Sequence, residues 1–394
     1  MDEVIKQLRW EGLAYAIVAG AALLVLFGLF AFVPALRRRW LPLPRLRPGV
    51  WTGNEVFFAF CIMLGFPTLI VEILLRIGFF TPLIGPAPAL DDTDMERAVY
   101  GVQCVIVSSP LSLTVILGMV LGMMYARTGT RPHRYGLTWG RPVANAVLGL
   151  LAFVASRPVL IGIFLLAALV FPARPDDPLL ELATRGMPEW EWALIAFQTI
   201  VAAPILEEVL CRGILQGWLR RATLAGQIGL LAMALFLTVF VNQAGLGRLF
   251  ASLAFISLLA VGYACALMRL RRQFALNDDE LKDWQVLPSR PPLDSALTGG
   301  EEEAWAAREQ ARARDEARAT QWADANATLA ILGSALFFAA MHSNWPGPIA
   351  LFPMGLMLGW MARRTQSLIG PITFHALFNL TTFIALYASA LSGD

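Results

Sequence analysis

Long apolar stretches with almost no charge constrain this chain more than any other feature of its sequence. A helix rises 1.5 Å per residue, so about 20 apolar residues cross the roughly 30 Å hydrocarbon layer of a bilayer. Only 15% of the 394 residues are charged and 57% are hydrophobic, whereas a soluble domain has about 25% charged residues. The composition excludes a soluble globular enzyme, a disordered chain and a fibrous repeat. It predicts an all-α polytopic transmembrane helix bundle of about ten spans, placed near residues 12–35, 55–80, 102–125, 144–171, 192–218, 224–243, 249–268, 328–343, 347–362 and 368–391.

Charges in the loops predict how these spans are oriented. Basic clusters follow the odd-numbered spans, as in Arg37–Arg39, whereas acidic residues follow the second and fourth spans, as in 91–96 and 176–191. Because cytoplasmic loops collect Lys and Arg, both termini are predicted to face outward. Two lysines accompany many arginines, which indicates a GC-rich bacterial genome and therefore the bacterial inner membrane. The net charge of +2 gives no argument for a nucleic-acid partner, so the lipid bilayer is the predicted surrounding.

One long segment is polar rather than apolar. From about residue 273 to residue 326 the chain has several Pro and Gly residues, and 301–324 is rich in Ala, Glu and Arg. This composition favours a solvated helix. We expect a polar cytosolic helical insert, and its sequence does not distinguish a passive insertion from a regulatory or partner-docking segment.

Several ionisable or polar side chains fall inside the apolar spans, where such groups usually face a bundle interior and mark function. Helix residues four apart share a face, so Glu208 stacks on Arg212, while Glu207 points about 100° away. The pair His375 and Asn379 has the same spacing. The sixth residue of the set is His342, which follows Phe338 by four positions and ends another apolar run.

These groups lie at similar depths in their helices. At 1.5 Å per residue, Glu207 lies about 20 Å from the basic edge of its helix. His342 and Asn379 lie about 22 Å and about 21 Å into theirs, with His375 one turn shallower. Three helices that are distant in the sequence therefore bring polar groups to one level, which favours a shared site over isolated packing pairs.

Two other charged features of the spans have simpler explanations. Glu72 and Arg76 are also four apart, but no histidine or second carboxylate lies at a matching position, so we interpret them as an interfacial ion pair. Arg157, next to Pro158, either extends to the interface or pairs with an acidic group of the polar site. The segment around Arg157–Pro158 is either one kinked span or a surface segment followed by a shorter span.

The polar groups suit hydrolysis of an acyl bond by water. A glutamate near an imidazole takes a proton from water as a general base, and an imidazole with a carboxamide donates to the developing oxyanion. The same Glu207 with His342 and His375 would instead ligate zinc and activate a bound water. The chain has neither a GxSxG nor an HExxH motif, which disfavours serine chemistry and the usual helix-borne zinc protease signature.

At these residues the sequence resembles the CPBP family of intramembrane proteases, which includes prenyl-protein CAAX endopeptidases and bacteriocin-processing and immunity (Abi) proteins. The family motifs are EExxxR, FxxxH and HxxxN, and the segment YGLTWGRP from Tyr135 also looks like the family. The resemblance implies that Glu207 activates water, that His342 assists or ligates, and that Glu208 with Arg212 forms an orienting pair. His375 and Asn379 would be the oxyanion donors. Zinc and a metal-free glutamate mechanism both stay open.

These motifs predict an intramembrane endopeptidase that cleaves a peptide bond in a membrane-associated protein or peptide. The bacterial composition does not favour a prenylated substrate. One alternative is a non-catalytic scaffold or bacteriocin-immunity protein, and another is a proton-coupled transporter, although no internal repeat supports the latter. The predicted organisation has three components. Residues 1–134 form an N-terminal set of spans outside the resemblance, and residues 135–225 and 326–394 form the two parts of a catalytic core. Residues 226–325, between those parts, contain two inserted spans and the polar segment.

Overall fold

The computed structural model describes residues 51–89, 93–170, 178–241, 246–274, 325–342 and 346–392, with isolated residues between 310 and 322. Throughout these residues the regular secondary structure is helical, as the sequence predicts. The helices are α1 (Gly53–Arg76), α2 (Thr81–Ile84), α3 (Asp94–Thr128), α4 (Pro142–Val170), α5 (Pro178–Thr184), α6 (Glu189–Leu219), α7 (Leu224–Val241), α8 (Leu246–Phe274), α9 (Ala327–Met341), α10 (Gly347–Thr365) and α11 (Ile369–Ser392).

Six of the described helices, namely α1, α3, α4, α6, α8 and α11, are long and apolar enough to cross a membrane. Helices α7 and α9 are apolar but shorter, and α10 occupies the ninth predicted span. The prediction of an all-α membrane helix bundle is confirmed, with ten as an approximate number of spans. The first predicted span, 12–35, and nearly all of the 273–326 insert lie outside the described residues.

Helix α4 resolves the two interpretations of the Arg157–Pro158 segment. It runs from Pro142 to Val170 with Pro158 inside it, so the segment belongs to one helix. The Arg157 guanidinium carbon lies 5.5 Å from the centre of the Phe153 ring, one turn earlier. A cation over an aromatic face is attracted by the ring quadrupole, which gives Arg157 a partner within its own helix.

The described residues divide into two compact units. The first contains 57–213 and 357–392, and the second contains 51–56 and 214–356. In the first unit, the Phe153 and Phe374 rings meet edge to face at 6.0 Å, which joins α4 to α11. A buried apolar cluster joins α3, α5 and α6 through Val99, Ile106, Leu182 and Ile195.

A buried loop fixes the start of α11 within the first unit. Tyr135 is 1% exposed, and its hydroxyl donates to the Thr130 carbonyl at 3.2 Å. Burial raises the pKa of the Tyr135 phenol, which keeps it a neutral donor. The Leu368 amide donates to the Gly136 carbonyl at 2.8 Å. A Cβ atom at Gly213 would lie 2.7 Å from the Tyr135 carbonyl oxygen, so only glycine allows α6 to approach this loop so closely.

In the second unit, the carbonyl of Leu219 at the end of α6 accepts hydrogen bonds from two side-chain amides. Gln227 of α7 donates to it at 3.1 Å, and Asn326, just before α9, donates at 2.9 Å. The Tyr263 hydroxyl of α8 donates in turn to the Gln227 side-chain oxygen. Because the last carbonyls of a helix have no partner within it, these bonds satisfy a buried acceptor and connect four helices at one point.

Candidate active site

Helix α6, which carries both glutamates, is not a regular α-helix. It contains two π-helical segments, Phe197–Ala202 and Val209–Leu215, with the α-helical turn Ala203–Glu208 between them. Single π-helical turns inside α-helices are uncommon and occur frequently at functional sites. Glu207 and Glu208 therefore lie at the end of the one regular turn between two widened ones.

Pro204 gives a physical reason for the first π-helical segment and for a contact made by Asn379. The Ala203 amide donates to the Gln198 carbonyl, five residues earlier, so it is not directed to its α-helical partner Thr199. The π-helical partner of the Thr199 carbonyl would be the amide of Pro204, which has no N–H. Asn379 of α11 supplies the donor instead, with its Nδ2 atom 2.7 Å from the Thr199 oxygen.

Glu208 and Arg212 form the buried ion pair that their spacing predicts. Arg212 Nη1 lies 2.9 Å from Glu208 Oε1, and both side chains are 0% exposed. An isolated charge at such a position would be expensive. The pair thus offsets within one helix the cost of placing each charge in an apolar interior.

His375 of α11 lies between the two consecutive glutamates. Its Nδ1 atom is 3.0 Å from Glu208 Oε1, and its Nε2 atom is 3.9 Å from Glu207 Oε2. Because an ionised carboxylate only accepts hydrogen bonds, Nδ1 must carry the proton. In its neutral form the imidazole has its lone pair on Nε2, which faces Glu207, and the Glu207 side chain is 17% exposed.

His342 belongs to the second unit and ends α9. Its Nδ1 atom lies 2.9 Å from the Phe338 carbonyl oxygen, and the two rings are 4.7 Å apart. The FxxxH spacing therefore corresponds to a contact in which Nδ1–H satisfies a carbonyl near the helix end. That His342 acts together with Glu207 stays a prediction.

The structure brings five of the six predicted site residues together in the first unit, with His342 in the second. Their contacts differ in part from the predicted roles, since His375 bonds a carboxylate and Asn379 bonds a backbone carbonyl. Sequence reasoning missed Thr199, whose carbonyl holds Asn379, and its only signal was Pro204 inside an apolar helix.

The zinc alternative requires at least three protein ligands. Within the described residues, no group of three His, Cys, Asp or Glu side chains has an arrangement suited to holding a metal ion. In the first unit, one His375 nitrogen is already bonded to Glu208, which leaves Nε2 and the Glu207 carboxylate as two donors. Two donors do not complete a zinc site, and the set Glu207, His342 and His375 stays a prediction.

Comparison with known proteins finds one family to which part of the chain is similar. Residues 189–276 and 312–381 match the family model described as Type II CAAX prenyl endopeptidase Rce1-like. This part of the chain is therefore similar to that family. The match contains all six predicted site residues, and it confirms the resemblance found from the three motifs. No curated protein and no solved structure matches the chain.

The similarity to the CAAX endopeptidase family supports an intramembrane endopeptidase in general terms. Together with the six long apolar helices, it makes the chain a multi-pass membrane protein. The match begins at Glu189 rather than near Tyr135, and it includes 226–276. The division at residues 134, 225 and 325 stays a prediction.

Proposed function

We propose that this chain is an intramembrane endopeptidase in which Glu207 takes a proton from a water molecule that attacks a peptide bond. The observation that carries the proposal is the 3.9 Å separation between Glu207 Oε2 and His375 Nε2. Both atoms are acceptors when Nδ1 of His375 bonds Glu208. One water reaches both at ordinary hydrogen-bond distances of about 2.8 Å, and its oxygen lone pair then points toward a substrate.

The chemistry balances with these residues alone. Glu207 accepts a proton as the water oxygen bonds to the peptide carbonyl carbon, giving a tetrahedral oxyanion. The carbon–nitrogen bond then breaks, and the proton passes to the amine that leaves. Asn379 has two N–H groups, of which one is bonded to the Thr199 carbonyl, so the second suits donation to the oxyanion. His342 is the proposed assisting base.

The proposed substrate is a membrane-associated protein or peptide, because the carboxylates lie on a helix long and apolar enough to cross the bilayer. The family description names prenyl endopeptidases, but nothing in the described residues selects a prenyl group. We further propose the bacterial inner membrane, with both termini outside, from the distribution of arginines.

Glu207→Gln tests the proposal, since it removes the base and keeps the shape of the side chain. Cells producing the wild-type chain or the variant would be compared by sequencing the new peptide termini in their membrane proteins. We expect some new peptide termini to be present in cells that produce the wild type or the control Glu72→Gln. The same termini should be absent in cells that produce Glu207→Gln. Equal sets of termini with Glu207→Gln and the wild type would overturn the proposal and favour a non-catalytic scaffold.

A further inference from the structure

A cavity lies in the first unit, away from the two consecutive glutamates. It has a volume of about 190 Å³ and is lined by residues of α3, α5, α6 and the turn before α6. Its carboxylate, Glu191, precedes Glu207 by sixteen residues of one continuous helix, which is about 24 Å. The cavity is thus separate from the proposed active site, and inferences about it do not depend on that proposal.

Glu191 is the feature that gives this cavity a chemical preference. The residue is only 4% exposed, and it lies in the first turn of α6, where the helix dipole favours a negative charge. Gln103 Nε2 contacts its two oxygens at 3.3 and 3.2 Å. The amide that makes these contacts is neutral and does not balance the charge of a carboxylate.

The other charged residue of the lining is Arg185. Its guanidinium is paired with Glu181, which does not line the cavity, with Nε 3.1 Å from Oε1, and both side chains are more than 40% exposed. Val99, Leu182 and Met187 are apolar. A buried carboxylate in such a cavity is best satisfied by a cation, so the lining fits a small ligand with one positive charge and a short hydrocarbon part.

The geometry narrows the kind of cation. Calcium and magnesium take six or more oxygen ligands, commonly including carboxylates, and this lining has one carboxylate. The Gln103 amide already contacts both oxygens of the carboxylate. A guanidinium that binds a carboxylate with two parallel hydrogen bonds would need the same two oxygens. None of the residues that line the cavity is aromatic, whereas quaternary ammonium groups are bound by aromatic cages. Of the cations considered, the one that fits this lining is an ammonium group that carries N–H donors.

We propose that this cavity binds a primary ammonium group, held by the carboxylate of Glu191. The volume exceeds that of a single water and falls below the roughly 300–1,000 Å³ of pockets for drug-sized ligands. It therefore suits a small amine. Two sources carry this chemistry, namely a free amine in solution and the ethanolamine headgroup of a lipid, since the cavity belongs to a membrane protein.

The test uses the full chain in lipid nanodiscs and measures the midpoint of thermal unfolding. In phosphatidylcholine nanodiscs, ethanolamine is titrated, and in a second set half of the lipid is replaced by phosphatidylethanolamine. We expect the midpoint to rise with ethanolamine, because a ligand that binds only the folded state stabilises it. If the unfolding midpoint also rises in the nanodiscs that contain phosphatidylethanolamine, the ligand is the lipid headgroup. If the midpoint rises only when ethanolamine is added, the ligand is a free amine.

Three variants complete the test. Glu191→Gln removes the charge and should weaken the apparent affinity for ethanolamine about tenfold or more, because hydrogen bonds to charged groups are the stronger ones. Glu189→Gln, in the same helical turn but exposed, should respond as the wild type does. Met187→Trp narrows the cavity, leaves the carboxylate in place and should also abolish the response. Equal responses from Glu191→Gln and the wild type, or no response of the wild type to either amine, would overturn the proposal.

Discussion

His375 is bonded to Glu208, with Nδ1 of the imidazole 3.0 Å from Oε1 of the carboxylate. The same oxygen is 2.9 Å from Arg212 Nη1, so one buried acceptor fixes both a guanidinium and an imidazole. Glu208 thereby links α6 to α11 and sets which nitrogen of His375 faces Glu207. The orienting pair expected from the sequence thus extends to the imidazole, and the three side chains form one connected group.

Removing Glu208 should destabilise the protein strongly. Glu208→Ala leaves Arg212 buried without its carboxylate, and breaking a buried ion pair in this way costs about 3–5 kcal/mol. The change also removes the acceptor of His375 Nδ1. The measurement is the unfolding free energy or melting temperature of the purified variant in detergent or nanodiscs.

An exposed pair of the same spacing provides the control for this variant. Arg76 Nε lies 2.7 Å from Glu72 Oε1, with the side chains 78% and 50% exposed, respectively. Exposed pairs contribute about 1 kcal/mol or less, so Glu72→Ala should change stability little. A Glu208→Ala protein as stable as Glu72→Ala would show that Arg212 does not depend on Glu208.

Replacing His375 should affect catalysis more than folding. His375→Gln removes the Nε2 acceptor that faces Glu207, while the glutamine amide is still able to donate to Glu208. Loss of a positioned acid–base group lowers rates by about 10²–10⁴-fold. The rate at which new peptide termini form in membranes measures the effect. Wild-type rates in a folded His375→Gln protein would contradict the placement of water between His375 and Glu207.

Asn379 is expected to contribute to stability as well as to any oxyanion contact. Asn379→Leu leaves the Thr199 carbonyl without the donor that replaces the absent N–H of Pro204. Because Thr199 is only partly buried, the unsatisfied acceptor should cost about 1 kcal/mol, the lower end of the range for buried groups. Thermal unfolding measures the loss. Thr382→Val is the matched control on α11, because its hydroxyl bonds only within that helix, to the Phe378 carbonyl at 3.4 Å. An Asn379→Leu protein that lost activity with unchanged stability would leave only the oxyanion role.

Helix periodicity was sufficient to predict the contacts within single helices. The spacing of Glu208 and Arg212 fixes their pairing, because four residues return to the same face, and the same holds for Phe338 and His342. The apolar windows gave the positions of the described helices for a similar reason, since backbone satisfaction in a bilayer leaves helices as the available form for such a sequence.

The atomic contacts between helices could not be predicted from the sequence. Equal depth suggested that His375 and Glu208 meet, but which imidazole nitrogen faces which glutamate depends on how α11 rotates against α6. The bond from Asn379 to Thr199 depends on a π-helical segment, and apolar periodicity carries no signal for one extra residue in a turn. Pro204 was visible, yet its effect on the Thr199 carbonyl follows only from the hydrogen bonds observed.

The helix that carries His375 is held by a close approach of two backbones, and this contact yields a final prediction. A Cβ atom at Gly149 of α4 would overlap the Gly370 carbonyl oxygen of α11 and lie 3.0 Å from Thr373 Cβ. Gly149→Ala should therefore cost about 1–3 kcal/mol, as overpacking does, and displace His375. Gly162→Ala, also in α4, meets nothing within 4 Å and should be neutral or slightly stabilising. Equal melting temperatures for the two variants would mean that α4 and α11 do not pack at Gly149.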